Sequence, residues 1–242
     1  MRTANPVLRN APFRTGVFGG GETMTVQGTV NKTLIALSIL VVAAGWTWGQ
    51  TVAGANVFPW MIGGLIGGLA AGIATSLKPA WAPVTTPLYA AFEGLILGAI
   101  SAVFNRAYPG IVVQAVGLTF GVLFVMLMAY TSGLIRATDS FRRGVVAATG
   151  GVFLFYFVAM VLGFFGVNMG FLWGSGVVGI GFSLVVVVIA ALNLVLDFNV
   201  IEQGAAEGAP KAMEWYGAFA LMVTLVWLYI EILRLLSKLR RR

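Results

Sequence analysis

The sequence predicts an all-α membrane protein, a bundle of seven transmembrane helices with the last helix at its centre. Three observations carry this expectation. Hydrophobic residues make up 59% of the chain, charged residues only 10%, and the mean hydropathy is +0.94. A soluble domain is roughly 45–50% apolar and about 25% charged, so no single globule could hide this much apolar surface. Seven long apolar segments follow one another, at roughly 34–50, 57–77, 87–104, 109–135, 144–166, 174–198 and 215–236. Each is near the ~20 residues that cross ~30 Å of hydrocarbon as a helix. Finally, Glu231 and Arg234 interrupt the last segment, "LYIEILRLL". Neither can face lipid cheaply, so other helices must surround that segment.

The elements follow in order. Residues 1–33 form a polar, basic arm with Arg2, Arg9, Arg14 and Lys32, and "VFGGGETM" reads as a break; we expect the arm to be disordered. It is not a secretory signal, because the first apolar run starts only near Leu34. Residues 34–239 form the seven-helix domain and 240–242 a basic tail. The runs are too long and continuous for the strands of a barrel. Turn chemistry separates them: "FPW" at Trp60, "KPAWAP" at Trp81, "NRAYPG" at Pro109 and the polar loop "EQGAAEGAP" at 202–210. "TTP" at 85–87 reads as a Thr cap followed by Pro at the first helical position. Six of the seven Trp fall near segment ends, as an interfacial belt requires, and Trp227 is the exception.

With the N-terminus in the cytoplasm, nine Lys and Arg lie inside and only Arg106 in the outer loops. The tail of Lys238, Arg240, Arg241 and Arg242 then falls outside, against the rule, if the last segment crosses. The net charge of +7 fits an anionic membrane surface better than nucleic acid. "GGLIGGLAAG" spaces small residues at four, with Gly64, Gly68 and Gly72 on one face and Gly63 and Gly67 beside it, a surface for close helix packing.

Several chemistries are excluded. The chain has neither Cys nor His. Disulfides, thiolate and imidazole metal sites, and His-dependent nucleophilic catalysis are therefore absent, and no enzyme and no cofactor is expected. "GSGVVG" at 174–179 matches a glycine-rich nucleotide loop, but no strand precedes it and it opens a membrane span. A retinal-type pump needs a Lys in the core of the last span, and Lys238 is near its end.

The ionisable residues within the spans are Glu93, Asp197, Glu231 and Arg234. One reading is an intramembrane salt bridge between Glu231 and Arg234, three apart on one helical face. It leaves Asp197 and Glu93 unexplained. The other joins the sixth and seventh helices: Asp197 and Glu231 approach and share a proton, because two close carboxylates cannot both ionise cheaply. Asn193 shares the face of Asp197 and could hydrogen-bond it, and Arg234 would tune the pair.

Four stretches carry a family resemblance: an arm containing "NPVLRN", "FEGLILGAIS" in the third span, "LDFNVI" at the end of the sixth and "LYIEILRLLSKL" in the seventh. On these the chain resembles the Bax inhibitor-1 family, in particular its bacterial branch, over about residues 30 to 239. Asp197 and Ile201 match the family's sixth-helix pattern. Leu228, Tyr229 and Glu231 match its seventh, with Glu in place of Asp. The resemblance implies a pH-sensitive cation leak, chiefly of Ca²⁺, gated by the paired carboxylates as a second helix moves. The metal ligands, if any, stay open. The resemblance also allows a non-conducting stress-regulatory protein acting on a membrane partner such as a protease. It implies a multi-pass protein of the bacterial inner membrane. Members with the leak mechanism carry an acid and an Arg in the second helix. Here that span has no charge, and Glu93 in the third is our candidate to replace the acid as pore or latch support.

Overall fold

The computed structural model describes residues 22–166 and 174–241. Among them are seven α-helices: α1 (Val26–Val52), α2 (Phe58–Leu77), α3 (Ala82–Ala107), α4 (Ile111–Thr131), α5 (Asp139–Phe164), α6 (Val177–Ala206) and α7 (Met213–Arg240). A 3-10 turn, Pro79–Trp81, leads into α3. All seven are long and apolar enough to cross a membrane. The last is the most buried. In its most apolar window 61% of residues are buried, against 44% for the third span and less for the others. The seven-helix expectation thus holds, and the helix carrying Glu231 and Arg234 is the one most enclosed by protein.

Most helices outrun their apolar segments, because the apolar run marks hydrocarbon while capping chemistry sets the ends. The arm does not extend to residue 33: α1 starts at Val26. Thr25 caps it, its hydroxyl oxygen accepting from Gly28 N at 2.9 Å. The expected disorder of the remaining arm falls on residues 1–21, outside the described residues. Similarly, α6 runs on through Glu202 to Ala206, into the stretch read as a loop. "TTP" is not a helix start either. The helix begins at Ala82, and Pro87 lies inside it. Pro83 takes the early position where a missing N–H costs nothing. Thr85 and Thr86 use their hydroxyls elsewhere, on the carbonyls of Trp81 and Trp215. The "NRAYPG" break is as expected. Gly110 adopts φ 80°, a left-handed conformation that favours glycine, and its N–H donates to Asn105 Oδ1 at 3.0 Å.

The chain forms two compact units, the first of residues up to Ile100 with Asn199–Met222, the second of Ser101–Phe198 with Val223–Arg242. In the first unit small residues set the packing. Gly94 and Gly98 of α3 bring that helix against the Leu40 and Ala44 carbonyls of α1. Gly64 and Gly67 of α2 meet the backbone and ring of Phe92. The small-residue face of α2 therefore packs on α3, as its spacing predicts, although Gly63 has open space. Tyr89 and Phe219 stack edge-on at 5.1 Å.

The segment before α1 is clasped to the approach of α7. Thr23 bridges Pro210, Met24 N donates to Ala209 O at 2.7 Å, and Lys211 N donates to Glu22 O at 3.0 Å. Lys211 Nζ pairs with the Glu22 carboxylate. Buried Glu214 accepts from the Thr25 amide and hydroxyl, its carboxyl filling the space a side chain on Gly28 would need. The Lys211 ammonium lowers the Glu22 carboxyl below its usual range, and Glu22 in turn raises Lys211. A depressed acid contributes above its unfolded value, near 4.3, and is lost as pH falls through its folded value. A raised Lys contributes below about 10.4 and is lost as pH climbs through its raised value. The clasp pair is thus intact across neutrality. We expect Glu22→Gln to speed hydrogen exchange at the Met24 and Lys211 amides at neutral pH and to change nothing in strong acid. Equal acceleration at both pH values would show that the ion pair does not hold the clasp.

A candidate polar seam in the second unit

The polar residues of α7 recur at heptad spacing. Thr224, Glu231 and Lys238 are seven apart and share one face, with Arg234 one turn beyond Glu231. Opposite them runs α6. Thr224 Oγ1 donates to Asp197 Oδ2 at 2.6 Å, and Lys238 Nζ donates to Ser183 Oγ at 2.8 Å and to the Gly179 carbonyl at 2.9 Å. Fourteen residues separate Asp197 from Ser183 and fourteen separate Thr224 from Lys238, so the two helices are antiparallel in one constant register. At the level of Glu231 that register places Ala190, fully buried. With no polar partner on α6 at that level, Glu231 finds its partners on α5 and on its own helix.

Glu231 is 2% exposed. Its Oε1 accepts from the Tyr156 hydroxyl of α5 at 3.0 Å and from Arg234 Nη1 at 3.1 Å, with the second carboxylate oxygen at 3.3 Å from the same nitrogen. Arg234 Nη1 also donates to the Tyr156 oxygen at 2.9 Å. The hydroxyl therefore gives to the acid and receives from the base, closing a triangle in which each member satisfies the other two. The guanidinium also lies 5.5 Å from the Tyr156 ring centroid, within cation–π range. The salt bridge read from the three-residue spacing is present.

The expected contact between Asp197 and Glu231 is not made directly. Each carboxylate has its own hydroxyl donor, Thr224 for Asp197 and Tyr156 for Glu231. The positions on α7 that hold them differ by two turns, about 10 Å along the axis. Asn193 does not serve Asp197 either. Its Nδ2 donates to Thr149 Oγ1 and to the Ile189 carbonyl, both at 2.8 Å. That amide cross-links α6 to α5. Glu93 belongs to the first unit, where it is half-buried with the Tyr89 hydroxyl of the preceding turn and Gly68 of α2 as neighbours.

Sequence reasoning missed four participants. Thr224 and Lys238 were legible in principle, since both are a heptad from Glu231. Lys238 was counted with the basic tail, yet it is 5% exposed and engaged by α6. Arg240 is also committed, donating to the Pro109 carbonyl and Gln114 Oε1. Ser183 and Tyr156 carried no local signal, because their partners lie on another helix. Tyr229 of the seventh-helix motif sits off the polar face, its hydroxyl 2.6 Å from Ser101 Oγ of α3. Trp227, the one Trp away from segment ends, packs beside Phe153 of α5 with ring centroids 5.8 Å apart. Among the described residues no three acidic side chains cluster as a metal site.

A family model described as "Bax inhibitor 1 like" matches residues 5–241. No curated protein and no solved structure matches the chain. The match spans nearly all of the chain, the seven helices and the polar seam of α6 and α7 included, and the protein belongs to the Bax inhibitor 1-like family.

Proposed function

We propose that the protein passes cations, calcium among them, through the membrane in a proton-dependent way, with the α6–α7 seam as its responsive element. One observation carries this reading. Asp197, Glu231, Arg234 and Lys238 all lie on helices long and apolar enough to cross a membrane, and all engage polar partners in the second unit. Ionisable side chains in hydrocarbon are expensive, and a passive anchor has no use for four of them. Asp197 is the group best placed to respond, because Glu231 is already neutralised by Arg234. An ionised Asp197 held by a single hydroxyl is poorly compensated and draws in water or a cation, whereas a protonated one leaves the seam closed. Flux should then rise with pH. Calcium is a transient occupant in this scheme and needs no resident cage. We read the N-terminus as cytoplasmic on the charge count, and the membrane as the bacterial inner membrane on the resemblance to the family's bacterial branch. The protein is not an enzyme and uses no cofactor.

The test is calcium entry into proteoliposomes on either side of neutrality. Wild type should leak more at the higher pH, and Asp197→Asn should leak at a rate independent of pH. Absence of flux at every pH would sink the proposal. It would favour the second reading, a non-conducting protein that acts on a membrane partner such as a protease. The Glu231–Arg234 pair favours that reading, because a neutral brace requires no permeant ion.

A further inference from the structure

We propose that the Gly179 carbonyl and the Ser183 hydroxyl form a subsite for a small monovalent cation, and that the Lys238 ammonium is its built-in occupant. This goes beyond the conduction reading and stands whether or not the protein conducts. The ammonium is buried and lies 2.9 and 2.8 Å from these two oxygens. A buried cation persists only where oxygens replace its hydration, and such charge-assisted contacts are the strong ones. The charged groups that act on Lys238 include Arg234, one turn back on α7, and Glu231, two turns back. Glu231 is itself engaged by Arg234 and Tyr156, and two of the oxygens that compensate Lys238 belong to α6. A carbonyl and a hydroxyl at one corner bind a potassium or ammonium ion by the same contacts, and here that ion is tethered to the chain.

Lys238→Met tests this with little disturbance. Methionine keeps roughly the length of the lysine stem up to Cε, with sulfur in place of Cδ, and removes Nζ, so a hole one ion wide is left against the two oxygens. Melting temperature is measured in ammonium, potassium and tetramethylammonium chloride at equal ionic strength. Wild type should melt alike in all three. The variant should melt several degrees lower in tetramethylammonium and recover in ammonium or potassium, by mass action on the vacated site. Adding Ser183→Ala should abolish the recovery. If the variant can be purified folded only in ammonium, that also supports the subsite. Equal melting of the variant in all three salts, recovery that survives Ser183→Ala, or failure to fold in ammonium would each overturn it. Because the readout is binding, a negative calcium-flux result leaves this test unaffected.

Discussion

Arg234→Met is expected to lower the unfolding free energy by about 3 kcal/mol, the lower end of the range for breaking a buried ion pair from one side. The lower end applies because the Arg234 side chain is 28% exposed, while that of Glu231 is 2% exposed. The loss comes from the partner left behind. Without the guanidinium, the Glu231 carboxylate keeps only the Tyr156 hydroxyl in an apolar surround. Glu231→Gln should be milder, since the amide oxygen still accepts from Tyr156 and Arg234 can reach toward solvent. The double variant Glu231→Gln/Arg234→Met should recover much of the single-variant loss, because no unpaired charge is left at that position. Asp197→Asn should cost less than about 1 kcal/mol, as the Thr224 hydroxyl donates equally well to an amide oxygen. Unfolding of the four variants in mixed micelles measures this. Additive losses in the double variant would show that the pair is not coupled. A large loss from Asp197→Asn would show that Asp197 carries structural weight the hydrogen bonds do not reveal.

Gly98→Ala should be the second large effect. A β-carbon there would fall well inside contact distance of the Ala44 carbonyl oxygen, and backbone cannot yield as a flexible side chain can. Gly94 meets the Leu40 carbonyl in the same way. Each substitution should cost roughly 2 kcal/mol through overpacking, and both together should separate α1 from α3. Gly63→Ala and Gly117→Ala serve as controls, since a β-carbon at either meets nothing within 4 Å. These should be neutral or should stabilise by up to about 1 kcal/mol through helix propensity. The same unfolding assay applies. If all four glycines behave alike, close backbone approach does not hold α1 to α3.

The contrast between these two sites explains what could be read from the chain. Helix number follows from hydropathy, because lipid demands long apolar runs with no internal ambiguity. The small-residue face of α2 and the Glu231–Arg234 pair are also local patterns, within one helix, and spacing alone finds them. Pairing Asp197 with Glu231 rests on the cost of an isolated buried carboxylate and on the family pattern, yet hydrogen bonding depends on the relative register of two helices. That register puts Ala190 opposite Glu231 and Thr224 opposite Asp197. No periodicity within α6 or α7 fixes it. Helix ends were misread for a different reason. The Thr25 cap leaves no apolar signature, and Thr86, read as part of a cap, spends its hydroxyl on the carbonyl of Trp215 on another helix.

The constant register of α6 and α7 restricts how the second unit can move. Asp197·Thr224 and Ser183·Lys238 act as two pins about 21 Å apart on the same pair of rods. Sliding one helix past the other by a single turn would break both pins at once and form neither anew. Shear is therefore the costly deformation. Rotation about one pin releases only the other, so the low-cost motion is a hinge that opens at one end while the far end stays fixed. Such a lever has a preferred fulcrum. Whichever pin is the stronger stays closed, and the membrane face at which the weaker pin lies is the one that opens first.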